Sequence, residues 1–435
     1  MSKRRFAVLV LLVMLIGLFI APAQAQDGAT IPAAACAEPG SLTVRVWDQN
    51  WQTVVQNSVD KWIADYCPGA EVTVEQVPWG QYWDLLRTDA ASGDLPDVFN
   101  MNQSSINYYV DNDALLDLSP YLASAGIEPT VWGAGMVDPY RFGENRDVYG
   151  VPMEWVTVAI FYNKDMFDAA GLEYPTADWT WDDFKADAEA LTNPDEGVFG
   201  AAVFSEVQAG YGSWIASAGV DPVVTVDHTA CTLQEPGSIE ALSFLQDLVQ
   251  SGVSPSVSQL GGTSADDEYN LFKSEKVAMI AAGAWKLPNA IDELTFNWDI
   301  VPFPKNPTTG ESSVILHSTS WVASGTSDNP DLAANLVQFL VSDEGQQFFA
   351  DAGGVAPGNL NPDLQQQWMG TFGESGKNIQ AFVDSTVNSH GYTMYIGDDS
   401  ATNDMLINLF DNGMSVEEAT ATACEAIQPF LATGS

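Results

Sequence analysis

Strand-like and helix-like segments alternate through residues 42–101, and this alternation limits the chain to few folds. "LTVRVW" (42–47) has the β-branched character of a strand, residues near 52–66 carry apolar side chains at helical spacing, and "EVTVEQV" (71–77) is strand again. A helix over 81–91 leads through "GDLP" to "DVFNM" (97–101). Strands joined by helices run parallel, so the segment implies a doubly wound sheet whose ligand crevice lies beyond the carboxyl ends of its strands. The rhythm resumes in "VTVAIFY" (156–162), helices starting at Trp181 and Ser238, "KVAMIAA" (276–282), "NWDIVPF" (297–303) and "SVILHSTSWVAS" (313–324), which calls for a second α/β sheet. A length of 435 residues suits two or three compact units. The Gly/Ser-rich stretch 251–267 reads as a surface connection. In "FYNKDMFDAAGLEYPTADWTWDDF" (161–184), Gly171 stops one short helix and Thr180 caps the next, so Trp179 and Trp181 belong to scaffold.

The leader and the cysteines both bear on where the chain resides. Lys3, Arg4 and Arg5 precede an apolar run over 6–20 and then Ala23-Gln24-Ala25, a pattern that reads as a secretory signal over residues 1–25 with a flexible leader over 26–40. The run is short of the roughly 20 apolar residues a membrane span requires. The chain is therefore expected to be exported, to the periplasm or the extracellular membrane surface. Four cysteines fit an oxidising compartment. Cys36 and Cys67 each precede a strand of the first parallel pair and are expected to bridge, which leaves Cys231 with Cys424; the rival use of Cys36 is lipid attachment at "AAAC" (33–36).

The net charge is −43, and loss of Lys3, Arg4 and Arg5 takes it to −46. Such a field repels phosphate backbones and disfavours nucleic acid as a partner. The residues that catalysis usually requires are scarce. Only His228, His317 and His390 are present, none at metal-binding spacing, and there is no G-x-S-x-G elbow, P-loop or dinucleotide turn. No catalytic residue, metal or cofactor is expected. Tryptophan is abundant instead, with 14 copies, and Trp47, Trp79, Trp155, Trp214, Trp285 and Trp321 sit at strand ends or in turns. An indole matches the C–H face of a pyranose, while carboxylate and carboxamide neighbours such as "WDQN" (47–50), "NMNQ" (100–103) and "MEW" (153–155) bond its hydroxyls.

The stretch 149–192, with "YNKD" and "WTWDDF", resembles the extracellular solute-binding proteins of family 1, the sugar-binding components of bacterial ABC importers that include maltose-binding protein. "LPDVFNMN" (95–102), "LFKSEKVAMIAAGAW" (271–285), "WDIVPFPKNPTTG" (298–310) and "EGQQFFADAGGVAP" (344–357) extend the likeness over nearly all of the chain, with Glu275 replacing a usual glycine. The resemblance implies a two-lobed periplasmic-binding-protein fold, two doubly wound α/β sheets joined by crossing hinge segments. It implies a first lobe of 41–155 plus 306–352 and a second of 156–305 plus 353–435, with each expected bridge inside one lobe. The implied ligand set is Asp48, Gln49, Asn50, Asn102, Gln103, Glu154, Trp155, Ser320 and Trp321 from the first lobe and its crossing, with Tyr211, Trp214 and Trp285 from the second. Its implied partners are a small-molecule sugar and the membrane permease subunits of an ABC importer, served by a monomer. Two alternatives stay open: a secreted glycoside-active enzyme, and the same fold binding a polyamine or other cation.

Overall fold

The computed structural model describes residues 30–431 apart from 104, 133, 226–228, 386–389 and 392–397. The signal assigned to 1–25 and the start of the leader lie outside the described residues. No helix among the described residues is long and apolar enough to cross a membrane.

The first sheet begins as the alternation requires. Ser41–Val46 pairs parallel with Glu71–Gln76 and with Val98–Asn102, with Val44 facing both Val74 and Val98. Its full order is Ala356–Pro357, Val151–Val156, Ile315–Ala323, Val98–Asn102, Ser41–Val46, Glu71–Gln76, and His390–Gly391 flanks the start of Ile315–Ala323. The returning strands 151–156 and 315–323 run antiparallel, so the sheet is mixed. The second sheet is ordered Trp298–Val301, Val158–Asn163, Val277–Gly283, Phe199–Ala202, with one parallel pair. Strands 151–156 and 158–163 are buried at every position, which explains their largely apolar sequence, interrupted by Glu154 and Asn163.

The chain passes between sheets at Thr157, whose buried hydroxyl donates to the Phe382 carbonyl at 2.8 Å. It returns near Leu316. Residues 306–315 are fastened to the second lobe: the Thr308 hydroxyl donates to Glu240, the Thr309 hydroxyl to the Ser217 carbonyl, and the Ile315 amide to the Ser213 hydroxyl. The third passage follows Thr371. Helices Asp343–Ala352 and Pro362–Thr371 pack together, and the Gln365 side chain bonds Trp155 of the first lobe. Lys377 and Asn378 then reach the Trp298 and Ile300 carbonyls of the second. The packing therefore departs from the division read from sequence at two places: 306–315 lies with the second lobe, and 353–372 with the first.

Local signals set the helix ends. Thr180 and Asp183 form a reciprocal capping box at Trp181–Leu191, and Gly171 at φ 70° ends Lys164–Ala170. The stretch 251–267 is not a plain loop. Ser256 and Gln259 cap a helix at Val257–Leu260, and Ser264 caps Ala265–Lys273. Cys36 bonds Cys67 and Cys231 bonds Cys424. The Cys36 sulfur is thereby engaged, which leaves no thiol there for lipid attachment.

Candidate functional site

Strand carboxyl ends from both sheets converge on a cavity of about 490 Å³ between the lobes. Trp47 and Asp48 follow strand 41–46, Asn102 and Gln103 end strand 98–102, and Glu154 lies on the crossing strand. From the second lobe come Glu206, Val207 and Gln208 after strand 199–202, Ser264–Asp266 at a helix start, and Trp285 after strand 277–283. This is where a doubly wound sheet places its ligand. A larger hollow of about 830 Å³ lies elsewhere, between residues 34–39 and helix Pro330–Val341. It belongs to one lobe, and none of the orphaned buried side-chain atoms among the described residues lines it.

The floor of the interlobe cavity is polar and incompletely bonded. Gln103 is 2% exposed, and neither its amide nitrogen nor its oxygen has a partner. Glu154 is 4% exposed with one carboxyl oxygen unpartnered. Buried polar groups are normally bonded, so these atoms retain hydrogen-bonding capacity at the cavity. Burial pushes the Glu154 carboxyl up to about 7, against a bond from Thr319, with Asp48 adding repulsion. His317, whose Nε2 lies 3.2 Å from Asn102 Oδ1, is driven down to about 4 by burial and stays neutral at pH 7. Asp48, Glu154, Glu206 and Asp266 line the cavity together with His317, and no Lys or Arg is among the lining residues.

The walls are aromatic. Trp47 meets Trp51, Trp79 and Trp83 at centroid distances of 5.3, 5.1 and 5.7 Å, and Trp79 is 50% exposed at the rim. Trp285 lines the same cavity from the second lobe. Its ring folds over Gly283, where an added Cβ would lie 1.7 Å from Cζ3.

Of the residues expected from sequence, Asp48, Asn102, Gln103, Glu154 and Trp285 line this cavity. Gln49 is exposed and does not line it, and the Asn50 side chain lies outside the described residues. Five others are placed in the cores. Trp155 donates to Gln365 and packs on Trp368; Trp214 donates to the Val203 carbonyl amid Trp181, Phe244 and Phe303. Tyr211 and Trp321 are buried in the apolar clusters. Ser320 donates to the Met101 carbonyl, because on strand 315–323 it is His317 and Thr319 that face the cavity while Ser318 and Ser320 turn inward. Sequence reading passed over Trp51, Glu206, Gln208, Asp266, His317 and Thr319. Trp47 and Trp79 carried a usable signal in their position at strand ends.

Beneath the 204–208 loop, Glu268 is wholly buried and accepts from the Phe204 and Ser205 amides at 3.0 and 2.9 Å. Burial raises its carboxyl to about 8 despite these bonds. A folded-state value above the unfolded one means that its stabilisation is complete below about 4.3 and is lost as pH rises through about 8. Thermal unfolding between pH 4.5 and 8 is expected to show a smaller fall in Tm for Glu268→Gln than for the parent. An identical slope in both would remove Glu268 from the pH dependence.

The family model described as bacterial extracellular solute-binding protein matches residues 63–370. This chain is a bacterial extracellular solute-binding protein. The solute-binding protein is 25% identical over 281 residues to a galactooligosaccharide-binding protein of Bacillus subtilis, covering 63% of each chain. It is 23% identical over 376 residues to an arabinooligosaccharide-binding protein of Halalkalibacterium halodurans, covering 82% of each. Its fold matches that of an ABC substrate-binding protein from Listeria monocytogenes in complex with cycloalternan, with TM-score 0.76 and 24% identity over 90% of this chain and 99% of the other. At that identity the likeness establishes the two-lobed α/β fold.

Proposed function

We propose that this solute-binding protein captures a neutral polyhydroxylated solute, a sugar or oligosaccharide, in its interlobe cavity outside the cytoplasm and hands it unaltered, as a monomer, to the permease subunits of an ABC importer. The observation that carries the reading is that the orphaned carboxamide of Gln103 and the orphaned carboxyl oxygen of Glu154, both buried, belong to residues that line one cavity with four tryptophans. One carboxamide offers a donor and an acceptor side by side, which suits a pair of adjacent hydroxyls. The indoles supply flat apolar faces for the ring itself. On this reading Asp48, Asn102, Gln103, Glu154 and Trp285, which line the cavity, are the residues that would contact the solute. A guest that touches both lobes favours the closed form by its differential affinity, and that shape is what a permease would read. No bond chemistry is required.

The acidic lining without Lys or Arg favours one second reading, a polyamine or other organic cation. A thermal-shift screen over mono- and oligosaccharides with spermidine as a parallel arm separates the two, since only a true ligand raises Tm by mass action. Sugars are expected to raise Tm and spermidine to leave it unchanged. The reverse pattern would establish the cation reading, and release of reducing sugar would point to a glycoside-active enzyme.

A further inference from the structure

Glu268 sits where two cavity-lining segments of the second lobe meet. It lies in the first turn of helix Ala265–Lys273, whose start brings Ser264, Ala265 and Asp266 to the cavity. Its Oε1 accepts from the Phe204 and Ser205 amides, at the root of the loop that brings Glu206, Val207 and Gln208 there. The loop is tied onward, since the Gln208 side chain donates to the Val156 carbonyl of the crossing strand at 3.3 Å. One carboxyl thus joins both segments. Two buried atoms at the junction, Glu268 Oε2 and Ser205 Oγ, have no hydrogen-bond partner.

The proton decides how well this junction is satisfied. A neutral Glu268 accepts both amides on Oε1 and keeps an O–H on Oε2, for which the Ser205 side chain, acting on the same carboxyl, offers an acceptor. A carboxylate would place a charge out of reach of water, where Glu206 is the charged group acting on it and repels it. The other charges nearby are engaged or turned outward. On its own helix Asp266 pairs with Lys286 and Lys273 with Glu293, Asp267 lies over Gly262, and burial keeps the Tyr269 phenol protonated. Asp404 on helix Asp398–Phe410 is exposed, and strand Val277–Gly283 and helix Val257–Leu260 carry no titratable side chain.

We infer that Glu268 is a positioning residue that works as a proton-operated latch: protonated, it holds the 204–208 loop against helix Ala265–Lys273 in the shape that receives the solute, and ionised, it releases the loop and opens that wall of the cavity. This rests on the reading of the cavity as the solute site. With the carboxyl raised to about 8, about one chain in ten keeps the latch at pH 9, so affinity is expected to fall about tenfold between pH 7 and 9.

Pulsed hydrogen exchange on the ligand-free chain reads the latch itself. Protection of segment 203–208, corrected for the intrinsic rise of exchange with pH, is expected to drop about tenfold from pH 7 to 9 in the parent while strand Val277–Gly283 keeps its protection. It is expected to stay level in Glu268→Gln, which retains an acceptor oxygen and has no proton to lose. Calorimetric titration with maltotriose, galactotriose and arabinotriose supplies the second readout: any that binds is expected to lose about tenfold more affinity in the parent than in Glu268→Gln, a comparison that cancels the titration of Glu154 in both. Level protection in the parent, or an equal loss of affinity in the two proteins, would overturn the inference. Should Glu268→Gln fail to fold, the parent's exchange profile still decides. Silence from all three sugars would count against the sugar reading, with the latch decided by exchange alone.

Discussion

Replacing Cys231 and Cys424 by serine is expected to destabilise the second lobe by about 5 kcal/mol, the largest single effect anticipated for this protein. The bridge spans 193 residues, and the chain entropy released to the unfolded state grows with the logarithm of that span. It pins helix Val416–Ile427, and with it the preceding helix Asp398–Phe410, to the body of the lobe, where Met405, Leu406 and Leu409 are buried. For a unit of this size the loss corresponds to about 10–20 °C in Tm. The Cys36–Cys67 bridge closes only 31 residues and is expected to contribute about 4 kcal/mol by the same reasoning. Calorimetric scans of the two double variants check both values. A shift below about 2 °C for Cys231→Ser/Cys424→Ser would mean that packing alone holds the C-terminal helices.

Trp285→Ala is expected to weaken sugar binding about 30- to 100-fold, the 2–3 kcal/mol of an aromatic anchor, with Tm in the absence of sugar nearly unchanged. Trp285 is half-buried and lines the interlobe cavity, so its removal takes one wall from the ring it would hold. Gly283→Ala offers an independent route to the same end. Its backbone at φ −87° accepts any residue, yet the new methyl group would occupy the place of the indole edge. About a tenfold loss is expected as the ring is displaced. Unchanged affinity in both variants, measured by titration calorimetry, would exclude Trp285 from the site.

The first β-α-β-α-β unit was legible because its strands alternate or run apolar over five or six residues and its helices carry a clean 3.6-residue spacing. The disulfide pairing was legible for a related reason: Cys36 and Cys67 each precede a strand of one parallel pair, and that pair forms in register. Asp48, Asn102 and Gln103 were implied by the family resemblance, and they line the interlobe cavity. Trp155, Trp214, Ser320 and Trp321 do not, because position near a strand end says nothing about which face a side chain takes. A shift of one residue along strand 315–323 exchanges cavity for core, and the strand carries a bulge between Thr319 and Ser320. Asp266 went unnoticed because it opens helix Ala265–Lys273 inside a Gly/Ser-rich stretch that reads as a surface connection. The packing departs from the expected boundary at 353 because a helix such as Pro362–Thr371 announces that it packs but not against which lobe, and at 306 because residues 306–314 form no helix or strand that would signal a side.

In the proposed function, two lobes clamp a neutral guest between indole faces over the Gln103 carboxamide and release it unchanged. Equilibrium dialysis of the purified protein against the tightest-binding sugar of the screen, with spermidine as competitor and mass analysis of the recovered ligand, tests it most directly. One sugar per chain, of unaltered mass and undisplaced by spermidine, is the predicted result; a shortened sugar, or retention of spermidine in its place, would contradict the account.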